Sequence, residues 1–102
     1  MISVDVRTAN GLFTTLQERL RKAGWYFNQP AIANQMNGLT WTVKNIRKSK
    51  LMEGNLPKIT NAEKLEITKA IEYVLNAHTV RYMRSLDESN RVLTISIYNT
   101  TN

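Results

Sequence analysis

The spacing of the apolar residues changes along the chain, and this change limits the possible folds more than any other feature. Between residues 10 and 24 the apolar side chains recur every three or four positions, which is typical of one face of a helix. Residues 2–7, 79–85 and 91–99 instead alternate apolar and polar side chains, which is typical of half-buried strands. The polar stretch "LDESN" favours a turn, so the sequence predicts a β-hairpin over about 79–98.

Two helices have clear sequence signals. Thr60 and Glu63, in the stretch "TNAE", fit a capping box, in which each side chain bonds to the backbone of the other residue. The helix that they open is expected to run to about residue 77, with an apolar stripe of Ile67, Ala70, Ile71, Val74 and Leu75. The earlier helix is expected to end near Gly24. Its apolar face consists of Leu12, Phe13, Leu16, Leu20 and Ala23.

The middle of the chain, residues 29–50, predicts two further helices. Asn37 and Gly38 accept positive φ angles, so the chain can turn sharply there. Thr40 can then cap a helix that runs to about Lys50. The sequence therefore predicts an α+β fold, with a four-helix core and a small antiparallel sheet built from an N-terminal strand and the C-terminal hairpin.

A chain of 102 residues can form one small domain, which we expect to span residues 1–102. Cysteine is absent and His78 is the single histidine, so disulfides, thiol catalysis and Cys or His metal sites are not expected. The sequence shows neither a glycine-rich phosphate loop nor paired carboxylates. We therefore expect no enzymatic activity, no cofactor, no metal and no small-molecule substrate. No apolar run approaches the ~18 residues that span a bilayer and no signal peptide is evident, so a cytoplasmic location without membrane contact is expected.

Charge is concentrated in the middle of the chain. The net charge is +6, although residues 1–20 and residues 59–102 each contain equal numbers of acidic and basic side chains. Residues 21–58 contain seven Lys and Arg side chains against Glu53 alone. A basic face of this kind is the usual electrostatic signature of nucleic-acid binding, and a plain solvated face is the alternative.

Four residues of the middle segment have the spacing of a known DNA-binding motif. Gln29 is followed by a small residue, Ala33, then by a turn residue, Asn37, and six positions later by Val43. This pattern resembles the helix-turn-helix of phage repressor and Cro proteins. The resemblance implies that strands build a dimer, as in Cro, and that the buried positions of the motif are Ile32, Met36 and Ile46.

The resemblance also implies a recognition helix over residues 40–50, with its first residues on base edges in the major groove and its basic residues on phosphates. Asn45 is the candidate for direct readout, because asparagine can pair bidentately with adenine. Thr40 and Trp41 could touch a thymine methyl group or a phosphate, and Gln29 could clamp a phosphate. The implied DNA-contacting residues are Gln29, Thr40, Trp41, Lys44, Asn45, Lys48 and Lys50.

Plainer interpretations of several residues are open at the level of sequence. Trp41 could pack on the connector that contains Trp25, Tyr26 and Phe27, or on the C-terminal hairpin. Asn45 could be an ordinary surface residue. The three aromatic residues of the connector are expected in the core, since they lack the spacing of a base-stacking platform.

These features predict a sequence-specific protein that binds double-stranded DNA, of the kind made by phages or mobile elements, which regulates transcription by occupying operator DNA as a homodimer. The alternative is a recombination accessory factor of such an element, or a small inhibitor that binds a host protein through the hairpin edge or the basic face.

Overall fold

The computed structural model describes residues 6–36, 38–48, 57–78 and 80–98, with side chains described from Ala9 onwards. The elements, in chain order, are helix α1 (Val6–Lys22), strands β1 (Ala31–Gln35) and β2 (Gly38–Val43), helix α2 (Asn61–Leu75), a 3-10 helix (Asn76–His78), and strands β3 (Arg81–Asp87) and β4 (Val92–Tyr98). The chain therefore repeats one order of elements, a helix followed by a β-hairpin.

The four strands form a single antiparallel sheet with the order β1-β2-β4-β3. β2 and β4 lie at the centre, where Trp41 pairs with Ile95, and β1 and β3 form the two edges. The two helix-hairpin units therefore meet through the second strand of each hairpin. The fold is α+β, but the predicted four-helix core is wrong, because the described residues contain two α-helices.

The helix-turn-helix predicted over 29–50 is also wrong, because this segment forms β1 and β2. An Asn-Gly pair between two apolar stretches is a strong hairpin signal, and here Gly38 of that pair is the first residue of β2. Along β2 buried and half-buried side chains alternate, a period of two that one face of a helix cannot match. The buried residues of β2 are Leu39, Trp41 and Val43.

The expected recognition helix has no counterpart in the described part of 40–50. Residues 40–43 are strand, and residues 44–48 form an irregular loop after it. The three residues that the motif requires to be buried differ in their exposure. Ile46 is fully buried, but Ile32 is 46% exposed and Met36 is 95% exposed.

α1 begins at Val6, so the strand predicted over 2–7 is wrong for its last two residues, and residues 1–5 lie outside the described residues. Helical spacing extends further back than the sequence pattern suggested, because Ala9 is buried three positions before Leu12. Ala23, expected on the apolar face, is exposed. The buried face of α1 consists of Ala9, Leu12, Phe13, Leu16 and Leu20.

The predicted end of α1 is confirmed by the backbone around Gly24. This residue has a φ of +96°, a left-handed conformation that glycine adopts without steric cost. The N–H of Trp25 donates to the carbonyl of Leu20 at 3.0 Å, and the N–H of Gly24 donates to the carbonyl of Arg21 at 3.0 Å. These two bonds form a Schellman motif, which satisfies carbonyl groups that the helix leaves unpaired.

α2 begins with the predicted capping box. The N–H of Glu63 donates to Thr60 Oγ1 at 3.1 Å, and the N–H of Thr60 donates to Glu63 Oε1 at 3.0 Å. The predicted stripe is confirmed, since the buried residues of α2 are Ile67, Ala70, Ile71, Val74 and Leu75.

The core lies between the two helices and one face of the sheet. Phe13 of α1 stacks on Trp41 of β2, with 5.8 Å between ring centroids and an interplanar angle of 12°. Burial of each large apolar side chain stabilises the fold by about 1.5–3 kcal/mol relative to its exposed state. The sheet contributes Leu39, Trp41, Val43, Leu93, Ile95 and Ile97 to this core. The other face of the sheet is not covered by either helix.

Candidate nucleic-acid interface

Two loops meet at one end of the molecule, beyond the C-terminal ends of α1 and β2. Tyr26 and Arg47 exchange two backbone hydrogen bonds, of 2.7 and 2.8 Å, and the N–H of Asn28 donates to the carbonyl of Lys44 at 2.9 Å. These bonds join the connector after α1 to the loop after β2. As a result, basic residues far apart in the sequence share one region, which we call the basic end: Arg21, Lys22, Lys44, Arg47 and Lys48.

Lys48 is bound mainly to the protein itself. Its ammonium group donates to the carbonyl of Ala23 at 2.7 Å, forms an ion pair with Glu66, and lies 4.9 Å from the ring centroid of Trp25. A cation at this carbonyl compensates the negative end of the α1 dipole. Lys48 was expected to contact phosphate, but in this structure it links α1, α2 and the loop after β2.

The remaining cations of the basic end are held more loosely. The Arg21 guanidinium lies 4.9 Å from the ring centroid of Phe27, and Arg47 donates to the carbonyl of Asn45 at 2.7 Å. Lys22 and Lys44 are exposed. Within the described ranges no carboxylate forms an ion pair with Arg21, Lys22 or Lys44.

Trp41 lies in the core and has no exposed surface. Besides stacking on Phe13, it meets Phe27 edge to face, with 6.4 Å between ring centroids. The interpretation that Trp41 packs on the aromatic connector is therefore confirmed. Its expected position facing DNA is wrong, since a fully buried side chain cannot contact a ligand in this fold.

The other residues expected at a DNA interface are scattered. Thr40 lies on the helix-free face of the sheet, where its hydroxyl is 3.0 Å from that of Ser96. Gln29 is exposed in the connector before β1, and Asn45 is exposed with a φ of +56°. Lys44 and Lys48 belong to the basic end. Lys50 lies outside the described residues.

The helix-free face of the sheet, which we call the open face, is rich in hydroxyl groups. Its cross-strand rows follow from the register, in which Thr40 pairs with Ser96 and Thr42 pairs with Thr94. These four side chains are half-buried by their neighbours. The rows continue onto the edge strands, so that the open face also includes Ala31, Ala33, Met83 and Ser85.

No local sequence pattern indicates the structural role of Arg91. This residue is the last of the turn in the second hairpin, where it has a φ of +55°, and only 5% of it is exposed. Its guanidinium donates to the carbonyls of Ile46 and Pro57 at 3.1 and 3.0 Å, and lies 3.9 Å from a Glu63 oxygen. Such a set of partners can be recognised only once the fold brings these segments together.

No family model matches the chain, and no curated protein matches it. In the part of the chain that the structure describes, no helix has the length and apolar character needed to cross a membrane. The same residues include no group of three or more His, Cys, Asp or Glu arranged to hold a metal ion.

Proposed function

We propose that this protein binds double-stranded DNA, with the basic end on phosphates and the open face against a groove. The observation that carries this proposal is the convergence of Arg21, Lys22 and Lys44 on one end of the molecule, exposed and without carboxylate partners among the described residues. Clustered cations of one sign attract the DNA backbone and release its condensed counterions.

The open face supports a sheet-based mode of contact. Some DNA-binding proteins contact a groove with the strands of a β-sheet, and the open face presents four strands with no helix over it. Hydroxyl groups such as those of Thr42 and Thr94 can bond to phosphates or base edges. Sequence-specific binding fits a small transcriptional regulator, and binding without sequence preference fits a recombination accessory factor.

Salt dependence of binding to a short duplex tests this proposal. In a variant with Arg21→Gln, Lys22→Gln and Lys44→Gln, we expect the slope of log K against log salt to fall in magnitude by about 3, since each phosphate contact contributes about 0.9. The matched control carries Lys64→Gln, Lys69→Gln and Arg84→Gln, which remove the same charge from exposed positions on α2 and β3.

The control should change the slope by less than half as much, because its residues belong to α2 and β3 and not to the two loops that form the basic end. An equal loss in both variants would mean that only net charge matters, and no binding at low salt would reject the DNA proposal. A second candidate function, binding to another protein, is favoured by the edge of β1, which is exposed at all its residues.

A further inference from the structure

The two edge strands of the sheet differ in how well they are protected against pairing with another chain. β1, with the sequence "AIANQ", is exposed at every residue and carries no charge, and the exposed Met36 follows it. β3 instead carries Arg81, Arg84 and Asp87. Charged residues on an edge strand discourage pairing with other chains, whereas an uncharged and exposed edge presents its backbone groups for pairing. Among the described residues, no strand pairs with β1 on the side opposite β2.

We propose that this edge of β1 pairs with β1 of a second copy of the chain, in an antiparallel arrangement centred on Ala33. A two-fold axis through that point uses all five residues of β1. It places Ala33 opposite its copy, Ile32 opposite Asn34, and Ala31 opposite Gln35. The result is a continuous eight-stranded sheet, with the helices of both copies on one face and both open faces on the other. An isologous contact of this kind closes on itself and gives a dimer, not a fibre.

The distribution of charge favours a second copy as the occupant. β1 is uncharged, so its copy can approach without opposing like charges, although the chain as a whole has a net charge of +6. The antiparallel arrangement also separates the two basic ends. Lys44 lies next to the start of β1, through its bond with Asn28, and that start meets the far end of the partner strand. A strand rises by about 3.4 Å per residue, so the length of β1 keeps the two basic ends apart.

The chain already makes a contact of this type within itself. Its two helix-hairpin units join where β2 pairs antiparallel with β4, around Trp41 and Ile95. The proposed contact repeats this antiparallel strand pairing between two copies of the chain, at the outer edge of β1. Because only five residues of each copy take part, the contact buries less than the roughly 1,200 Å² typical of stable complexes. We therefore expect a dimer that dissociates on dilution.

Sedimentation equilibrium over a range of protein concentrations, without DNA, tests the contact. Ala33→Lys places one cation in the middle of β1, facing its copy across the two-fold axis. Ser85→Lys is the matched control, because it places the same cation on the same face of the opposite edge. We expect Ala33→Lys to weaken dimerisation roughly fivefold or more, since like charges directly opposite each other destabilise strand pairs. Ser85→Lys should leave dimerisation unchanged.

A charge exchange identifies the register. Ala33→Glu alone should also weaken dimerisation, and a mixture of the Ala33→Lys and Ala33→Glu chains should restore it by forming mixed dimers. A monomeric wild type at the highest concentration, equal effects of Ala33→Lys and Ser85→Lys, or failure of the mixture to associate would each overturn the proposal. Because no DNA is present, such a failure would leave the DNA-binding proposal untouched.

Discussion

The two hairpins of the sheet are closed by different means. The first turns within two residues and depends on a backbone contact that tolerates no side chain. The second turns over four residues, of which Asn90 bonds to the Asp87 side chain and Arg91 donates to distant carbonyl groups. The same order of a helix followed by a hairpin is thus stabilised once by close backbone approach and once by polar side chains.

Gly38 defines the first hairpin. A Cβ atom at this position would lie 1.9 Å from the carbonyl oxygen of Ile97 and 2.9 Å from Tyr98 Cα. These neighbours are backbone atoms of β4, a central strand, so they cannot move aside as the end of a flexible side chain would. β2 can pair with β4 in this register because residue 38 has no side chain.

Asp87, Asn90 and Arg91 define the second hairpin. The Asp87 carboxylate accepts hydrogen bonds from the N–H of Asn90 at 3.0 Å and from its side-chain amide at 2.8 Å. Arg91 then extends under the loop after β2, and its own carbonyl accepts from the N–H of Ile46 at 3.2 Å. The second hairpin is therefore attached to the first by side-chain bonds at the end opposite Gly38.

The largest expected effect is that of Gly38→Ala. We expect it to lower the free energy of unfolding by about 3 kcal/mol or more, because relieving the clash requires β2 to move away from β4. Gly11→Ala is the control, since a Cβ there meets nothing within 4 Å and the residue lies inside α1. That change should stabilise the protein by roughly 0.5–1 kcal/mol.

Urea denaturation of both variants measures these effects. If Gly38→Ala unfolded at the same urea concentration as the wild type, the backbone of the first hairpin would be more adaptable than its contacts with β4 indicate. The contrast between the two hairpins would then disappear.

Arg91→Ala should have the next largest effect, and it tests the second hairpin. Removal of the guanidinium leaves the carbonyls of Ile46 and Pro57 without their donor, which costs about 2–3 kcal/mol for buried groups. Arg84→Ala, on exposed β3, should change stability by less than about 0.5 kcal/mol. Equal urea midpoints for Arg91→Ala and Arg84→Ala would show that the buried guanidinium adds nothing to stability.

The contrast between the hairpins also explains how much the sequence could predict. The capping box of α2, its five-residue stripe and the alternation of β4 are local signals, and the structure contains each of them. The first hairpin was missed because its short apolar segments fit a period of two as well as a helical period. Ile32, Met36 and Ile46 lie at helical spacing by coincidence, and an Asn-Gly pair can turn the chain between two helices as well as between two strands.

The candidate site could be predicted only in part, for a similar reason. The concentration of positive charge is visible in the composition of residues 21–58. The bond from Lys48 to the carbonyl of Ala23 joins residues 25 positions apart, and it depends on how the two loops meet. The burial of Trp41 likewise follows from its place on a central strand, which helical spacing could not indicate.

The smallest expected effect concerns the turn of the second hairpin and appears as a pH dependence. The side-chain amide of Asn90, followed by its backbone N–H, lowers the pKa of Asp87 below the usual value of 3.8. A carboxyl group whose pKa is lower in the folded state stabilises that state above its unfolded pKa, and this contribution is lost as the pH falls through the folded pKa. The contribution is small because the carboxylate is fully exposed.

Asp87→Asn should therefore be less stable than the wild type at neutral pH, and the difference should vanish at a pH below the folded pKa of Asp87. Urea denaturation at several pH values measures this difference. Asn90→Ala is the complementary variant, because it removes the side-chain donor and leaves the backbone N–H and the carboxylate in place. It should lose the side-chain part of the pH-dependent contribution, and therefore less of it than Asp87→Asn loses. A difference from the wild type that stayed constant down to acid pH in both variants would mean that the turn is held by its backbone alone, as the first hairpin is.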